Sequence, residues 1–88
     1  MKHDFTKQFK KDHARRIAGT RMEPEFEELF DLLTGGAPLP ASYHDRMLVG
    51  DWKGYRDCLL RGDMMLIYKI AGDTIIFTRI NAHSELFG

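Results

Sequence analysis

The sequence predicts an α+β domain in which a helical hairpin packs on a small antiparallel sheet of three or four strands. Three observations lead there. Apolar residues recur at helical spacing in the first third of the chain, period-two and β-branched runs fill the second half, and short turn signals separate those runs. Two helices followed by a meander give a two-layer sandwich with one sheet face covered and the other open. Eighty-eight residues suit a single domain over 1–88 with a modest core.

Phe5, Phe9 and Ile17 fall at multiples of four with Ala14 nearby, which predicts a helix over about 6–18 and leaves room for a short strand at 2–5. Gly19 is a natural stop. Pro24 suits the first turn of a second helix, and the acids Glu23 to Glu28 suit the positive end of its dipole. Phe26, Leu29, Phe30 and Leu33 form its apolar stripe, and Gly35 and Gly36 end it. "APLPAS" (37–42) reads as an extended loop. "RMLVG" (46–50), "YRDCLL" (55–60), "MMLIYKI" (64–70) and "TIIFTRI" (74–80) then read as strands, and "AGD" (71–73) as a tight hairpin. Simple alternation on the last strand puts Ile75, Phe77, Arg79 and Asn81 on one side. Arg79 is too costly to bury unpaired, so its end of the strand should meet solvent or an anionic partner.

Formal net charge is zero but unevenly spread. Residues 1–21 carry seven Lys or Arg against Asp4 and Asp12, and residues 22–34 carry five acids and no base. Two readings follow: a basic surface for nucleic acid, or two helices of opposite charge pairing across the hairpin. No apolar run approaches the roughly 20 residues that span a bilayer, and the start of the chain is polar rather than signal-like. The single cysteine, Cys58, has no internal disulfide partner. The expectation is a cytoplasmic protein in a reducing compartment.

The segment "GDWKGYRD…LIYK…R…HSELFG", with "FTKQFKKD" and "LPASY" before it, resembles YafQ-type toxins of the RelE superfamily across nearly the whole chain. The resemblance implies an mRNA interferase, an endoribonuclease that cuts mRNA in the ribosomal A site without a metal or other cofactor. Its expected partners are the ribosome with its mRNA and a cognate antitoxin, typically a ribbon-helix-helix dimer. The toxin alone is expected to be a monomer. In-line attack by a ribose 2′-hydroxyl needs a base, an acid and positive charge for the phosphorane. Histidine suits the proton roles and arginine the phosphate.

Carried over position by position, the resemblance implies catalytic roles for His83, Asp63 and Arg79, with Asp63 orienting His83. It implies RNA or antitoxin contacts at Phe87, Arg46, Lys53, Arg56 and Arg61. Two family histidines are replaced, by Arg46 and by Leu59, and the family glycine of the terminal motif is Asn81. Arg46 stays protonated and Leu59 moves no protons, so attenuated cleavage is expected. His44, two residues before Arg46, is a candidate substitute acid or base on the same face of an extended segment. The competing reading is a binding module that keeps the toxin fold and its antitoxin contacts, acts in co-repression or antitoxin sequestration, and does not cleave. Trp52 and Tyr55 read as structural, Cys58 as buried and inert, and Met47, Met64 and Met65 as core or interface filler.

Overall fold

The computed structural model describes all 88 residues. Strand β1 (Lys2–Phe5) leads through Thr6 into helix α1 (Lys7–Arg16), and helix α2 (Met22–Thr34) follows. Thr6 caps α1, its hydroxyl accepting from the Phe9 amide at 3.0 Å. Gly19 ends the α1 region at φ +74°, a conformation that favours glycine. Strands β2 (Arg46–Met47), β3 (Arg56–Arg61), β4 (Met64–Ala71) and β5 (Thr74–Ala82) come next, and helix α3 (His83–Phe87) closes the chain. Single 3₁₀ turns at Ala41–Tyr43 and Gly50–Trp52 flank β2.

The sheet has five strands in the order β1-β5-β4-β3-β2. That corrects the expected three or four antiparallel strands. The tight connections do make β2 to β5 antiparallel, but β1 joins the far edge parallel to β5, with His3 opposite Ile75 and Phe5 opposite Phe77. Two helices and three strands separate β1 from β5, so no hairpin imposes the antiparallel sense. β2 is shorter than "RMLVG" suggested. The chain leaves the ladder after Met47, and Gly50 turns at φ +68° into the 3₁₀ segment.

The helices cover one face of the sheet. Phe77 lies at the centre of that core, 5.2–6.1 Å from the rings of Phe5, Phe9, Phe26 and Phe30. Cys58 is fully buried there, and burial pushes its thiol pKa far up. Met64 and Met65 are buried, whereas Met47 is 71% exposed. Trp52 and Tyr55 meet edge to face at 5.3 Å.

The hairpin is not stapled by opposite charges: no ion pair joins α1 to α2. Asp12 of α1 reaches Arg79 of β5 instead, and Glu25 of α2 reaches Arg61 of β3. The helices meet through their aromatic stripes, which turns their charged positions outward or toward the sheet.

A β-bulge overturns the simple alternation on β5. Tyr68 pairs with Phe77 and Ile67 with Arg79, so Thr78 is an extra residue. Beyond it the parity reverses. Ile80 and Ala82 point toward the helices with Ile75 and Phe77, and Arg79 and Asn81 lie on the opposite face.

Candidate functional site

The open face carries two register rows that matter. Arg46, Asp57, Ile67 and Arg79 lie opposite one another across β2 to β5. Leu59, Met65 and Asn81 form the next row. His83 follows Asn81 at the start of α3. The register thus puts Arg46 and Arg79 on one face with Leu59 in the next row, and His83 begins α3 just past the end of β5.

Buried carboxylates hold both arginines. Asp57 is fully buried and accepts from Arg46 Nε at 2.8 Å and Nη2 at 3.1 Å. Asp12, 3% exposed, accepts from Arg79 Nε at 2.7 Å and Nη2 at 3.2 Å. It also accepts from the Ile80 amide at 3.2 Å and from Gln8 Nε2 at 3.1 Å. Burial pushes the Asp12 pKa up, but the hydrogen bonds from Arg79, Gln8 and Ile80 outweigh it and leave the carboxyl below its ordinary value. In each pair Nη1 and one Nη2 hydrogen stay free, so the outer fork of each guanidinium remains able to meet an oxyanion.

Chain geometry explains the reach of Asp12. Thr6, just past β1, donates its amide to the Phe77 carbonyl and its hydroxyl to the Thr78 carbonyl. Helix α1 thus starts along the edge of β5 that β1 has vacated, and one and a half turns later Asp12 meets the Ile80 amide. Sequence reasoning missed this residue. A signal was present: Asp12 lies three residues after Phe9, on the buried stripe of an otherwise basic helix. Asp57 gives no such signal, because a carboxylate on the uncovered side of a strand is ordinarily solvated.

His83 opens α3 and is exposed, and its ring lies 5.0 Å from that of Phe87. Its amide donates to the Asp63 carbonyl at 2.8 Å. Asp63 thus meets His83 through its backbone, and its carboxylate makes no hydrogen bond to the imidazole. The contact ties α3 to the β3–β4 turn.

The remaining cations disperse. Arg56 pairs with Asp45 at 2.8 Å, and Asp45 also accepts from Tyr68, a residue of the helix-side core. Arg56 is therefore on the covered side of the sheet. Arg61 turns toward α2, 3.2 Å from Glu25. Lys53 is exposed beyond the 3₁₀ turn and has no ion-pair partner. His44 has φ +49° and ψ +44°, a left-handed turn. The segment is not extended there, so the argument that put His44 on the face of Arg46 does not hold.

This constellation offers one exposed imidazole, two oriented guanidiniums and no second histidine on the same face. The family model for YafQ, a bacterial toxin of type II toxin–antitoxin systems, matches residues 1–88. The chain belongs to the YafQ toxin family. A Haemophilus influenzae protein bearing the YafQ toxin name is 37% identical over 97% of this chain and 90% of its own length. The mRNA interferase toxin YafQ of Escherichia coli K12 is 46% identical over 65% of this chain and 62% of its own length. Among solved structures, the toxin in the E. coli DinJ–YafQ complex superposes with a TM-score of 0.81 at 36% identity, over 98% of this chain and 97% of that one. The fold of this YafQ-family chain is thus that of the RelE-like toxins. None of its helices is long and apolar enough to cross a membrane.

Proposed function

We propose that this toxin is a ribosome-dependent mRNA endoribonuclease with attenuated cleavage, held in check by a cognate antitoxin. The observation that carries the reading is Arg79 on the open face of β5 with His83 exposed at the start of α3 directly after that strand, in a chain whose E. coli relative is named an mRNA interferase. In this reading the 2′-oxygen attacks phosphorus in line and the bond to the 5′-oxygen breaks. His83 moves one of the two protons, and the outer fork of Arg79 meets the phosphate. Phe87, against the His83 ring, offers a face for base stacking. Lys53 and the outer fork of Arg46 add backbone contacts. Arg56 and Arg61 lie toward the helices and suit antitoxin carboxylates better than mRNA. The antitoxin partner is supported by the DinJ–YafQ complex, whose toxin shares this fold.

Attenuation follows from Arg46 and Leu59. An acid or base is typically worth about 10²–10⁴-fold, and this face has one imidazole where the resemblance implies three. The ribosome compensates in part by orienting the mRNA for attack. A second reading has its own observation: the four arginines at 46, 56, 61 and 79 are all ion-paired, which suits a binding module.

The test is mapping of mRNA 5′ ends in a translating bacterial extract. Codon-phased cuts that vanish in His83→Ala support the enzyme, with more cutting in Arg46→His/Leu59→His supporting attenuation. An absence of cuts in both the native and the double-histidine proteins overturns the nuclease reading in favour of the module.

A further inference from the structure

Asn81 lies on β5 between Arg79 and the start of α3. Because the bulge reverses the parity of β5, Arg79 and Asn81 share the open face, and His83 follows two residues on. Alternate positions along a strand are about 7 Å apart, so the guanidinium and the carboxamide stand side by side on that face, and His83 begins α3 just beyond them.

The carboxamide is oriented by chemistry. Its Oδ1 accepts from the Ala82 amide at 2.8 Å. Oxygen is the only carboxamide atom that accepts, so Nδ2 must be the opposite end. Nδ2 keeps both hydrogens free, because Asn81 makes no other side-chain hydrogen bond. The rest of its row is Met65, which is buried, and Leu59. Both are apolar, so nothing in the row competes for the donor, and the local medium strengthens whatever bond it makes.

We propose that Asn81 donates a hydrogen bond from Nδ2 to a non-bridging oxygen of the scissile phosphate, stabilising the charge that builds there in the transition state. This rests on the ribonuclease reading and assigns that site a further catalytic residue. In the step the 2′-oxygen forms its bond to phosphorus and loses its proton. The bond to the 5′-oxygen breaks, and that oxygen gains a proton. The products are a 2′,3′-cyclic phosphate and a 5′-hydroxyl. His83 moves one proton and water the other. Asn81 transfers none. It is useful because the Ala82 amide fixes it in advance, so no reorganisation accompanies the reaction. A donor beside the phosphorane also offsets in part the histidine replaced by Leu59 in the same row.

The order of three variants tests this in single-turnover cleavage on ribosomes stalled with mRNA. Asn81→Ala removes the donor and should slow cleavage on the order of 100-fold, with the half-saturating toxin concentration little changed. Asn81→Gly should behave as Asn81→Ala does. Asn81→Asp keeps the shape and the acceptor for the Ala82 amide but faces the phosphate with a carboxylate, and should be slower than Asn81→Ala at an unchanged melting temperature. A purely structural role gives the reverse order, with Asp harmless and Ala damaging, and that order overturns the proposal. If the native protein does not cut, the ribonuclease reading fails separately. The side-chain amide resonances of Asn81 are then followed as a 2′-O-methyl oligonucleotide, which cannot be cleaved, is added. A shift upholds the phosphate contact, and no shift overturns it.

Discussion

The two faces of this sheet are built from the same strands and are held together by different means. On the covered face, aromatic rings from β1, α1, α2 and β5 meet around Phe77, and stability there comes from many small contacts spread over a buried volume. On the open face, single buried carboxylates do the holding. Asp57 fixes Arg46, and Asp12 fixes both Arg79 and the Ile80 amide. A packed face fails by degrees with lost volume, whereas a polar face depends on one or two atoms. The candidate chemistry lies on the second kind of surface, with its supports reaching in from another strand or from a helix.

Mutations that separate the two faces sharpen the contrast. Phe77→Ala should have the largest effect, about 3–5 kcal/mol in urea denaturation, because the surrounding rings cannot collapse into the void. Asp12→Ala should cost about 2–3 kcal/mol, because it strands the Ile80 amide and releases Arg79. A small loss on Asp12→Ala would break the comparison by showing that the carboxylate is incidental.

The Asp12 effect should also depend on pH. Its folded pKa is lowered, so its contribution is present above the unfolded value of about 3.9 and is lost as pH falls through the folded value. The stability gap between the native protein and Asp12→Asn should thus be full at pH 7 and narrow below about pH 4, as followed by thermal melts. Thr6→Ala should cost about 1–2 kcal/mol through the lost cap of α1. Leu59→His should have the smallest effect on stability, under about 1 kcal/mol, because its open-face position is partly solvated. Combined with Arg46→His, it should still raise cleavage.

Much of the fold was legible. The apolar spacing of Phe9, Phe26, Leu29 and Leu33 placed both helices, and the β-branched runs placed β3, β4 and β5 within one or two residues. Helix α3 was not legible, because five residues hold too little periodicity to register. The candidate site was legible only as a set of residue types. The motif drew attention to Arg79 and His83, but the side of the sheet that Arg79 takes depends on one extra residue at Thr78. Asn81 was visible as a polar residue two places after Arg79, and its orientation was not.

By itself the sequence determined where helices α1 and α2 and strands β3 to β5 form, because side-chain periodicity and turn residues act locally. It also determined that positions 46 and 59 carry an arginine and a leucine, neither of which shuttles protons, because identity at a position needs no structure. Only the tertiary structure decided which side of β5 carries Arg79 and Asn81, that β1 runs parallel to β5, and that Asp12 is the partner of Arg79. Those outcomes depend on pairings between residues up to 72 positions apart. Strand register and long-range hydrogen bonds are settled by what the assembled sheet and helices leave unsatisfied, and no local stretch of the chain encodes that.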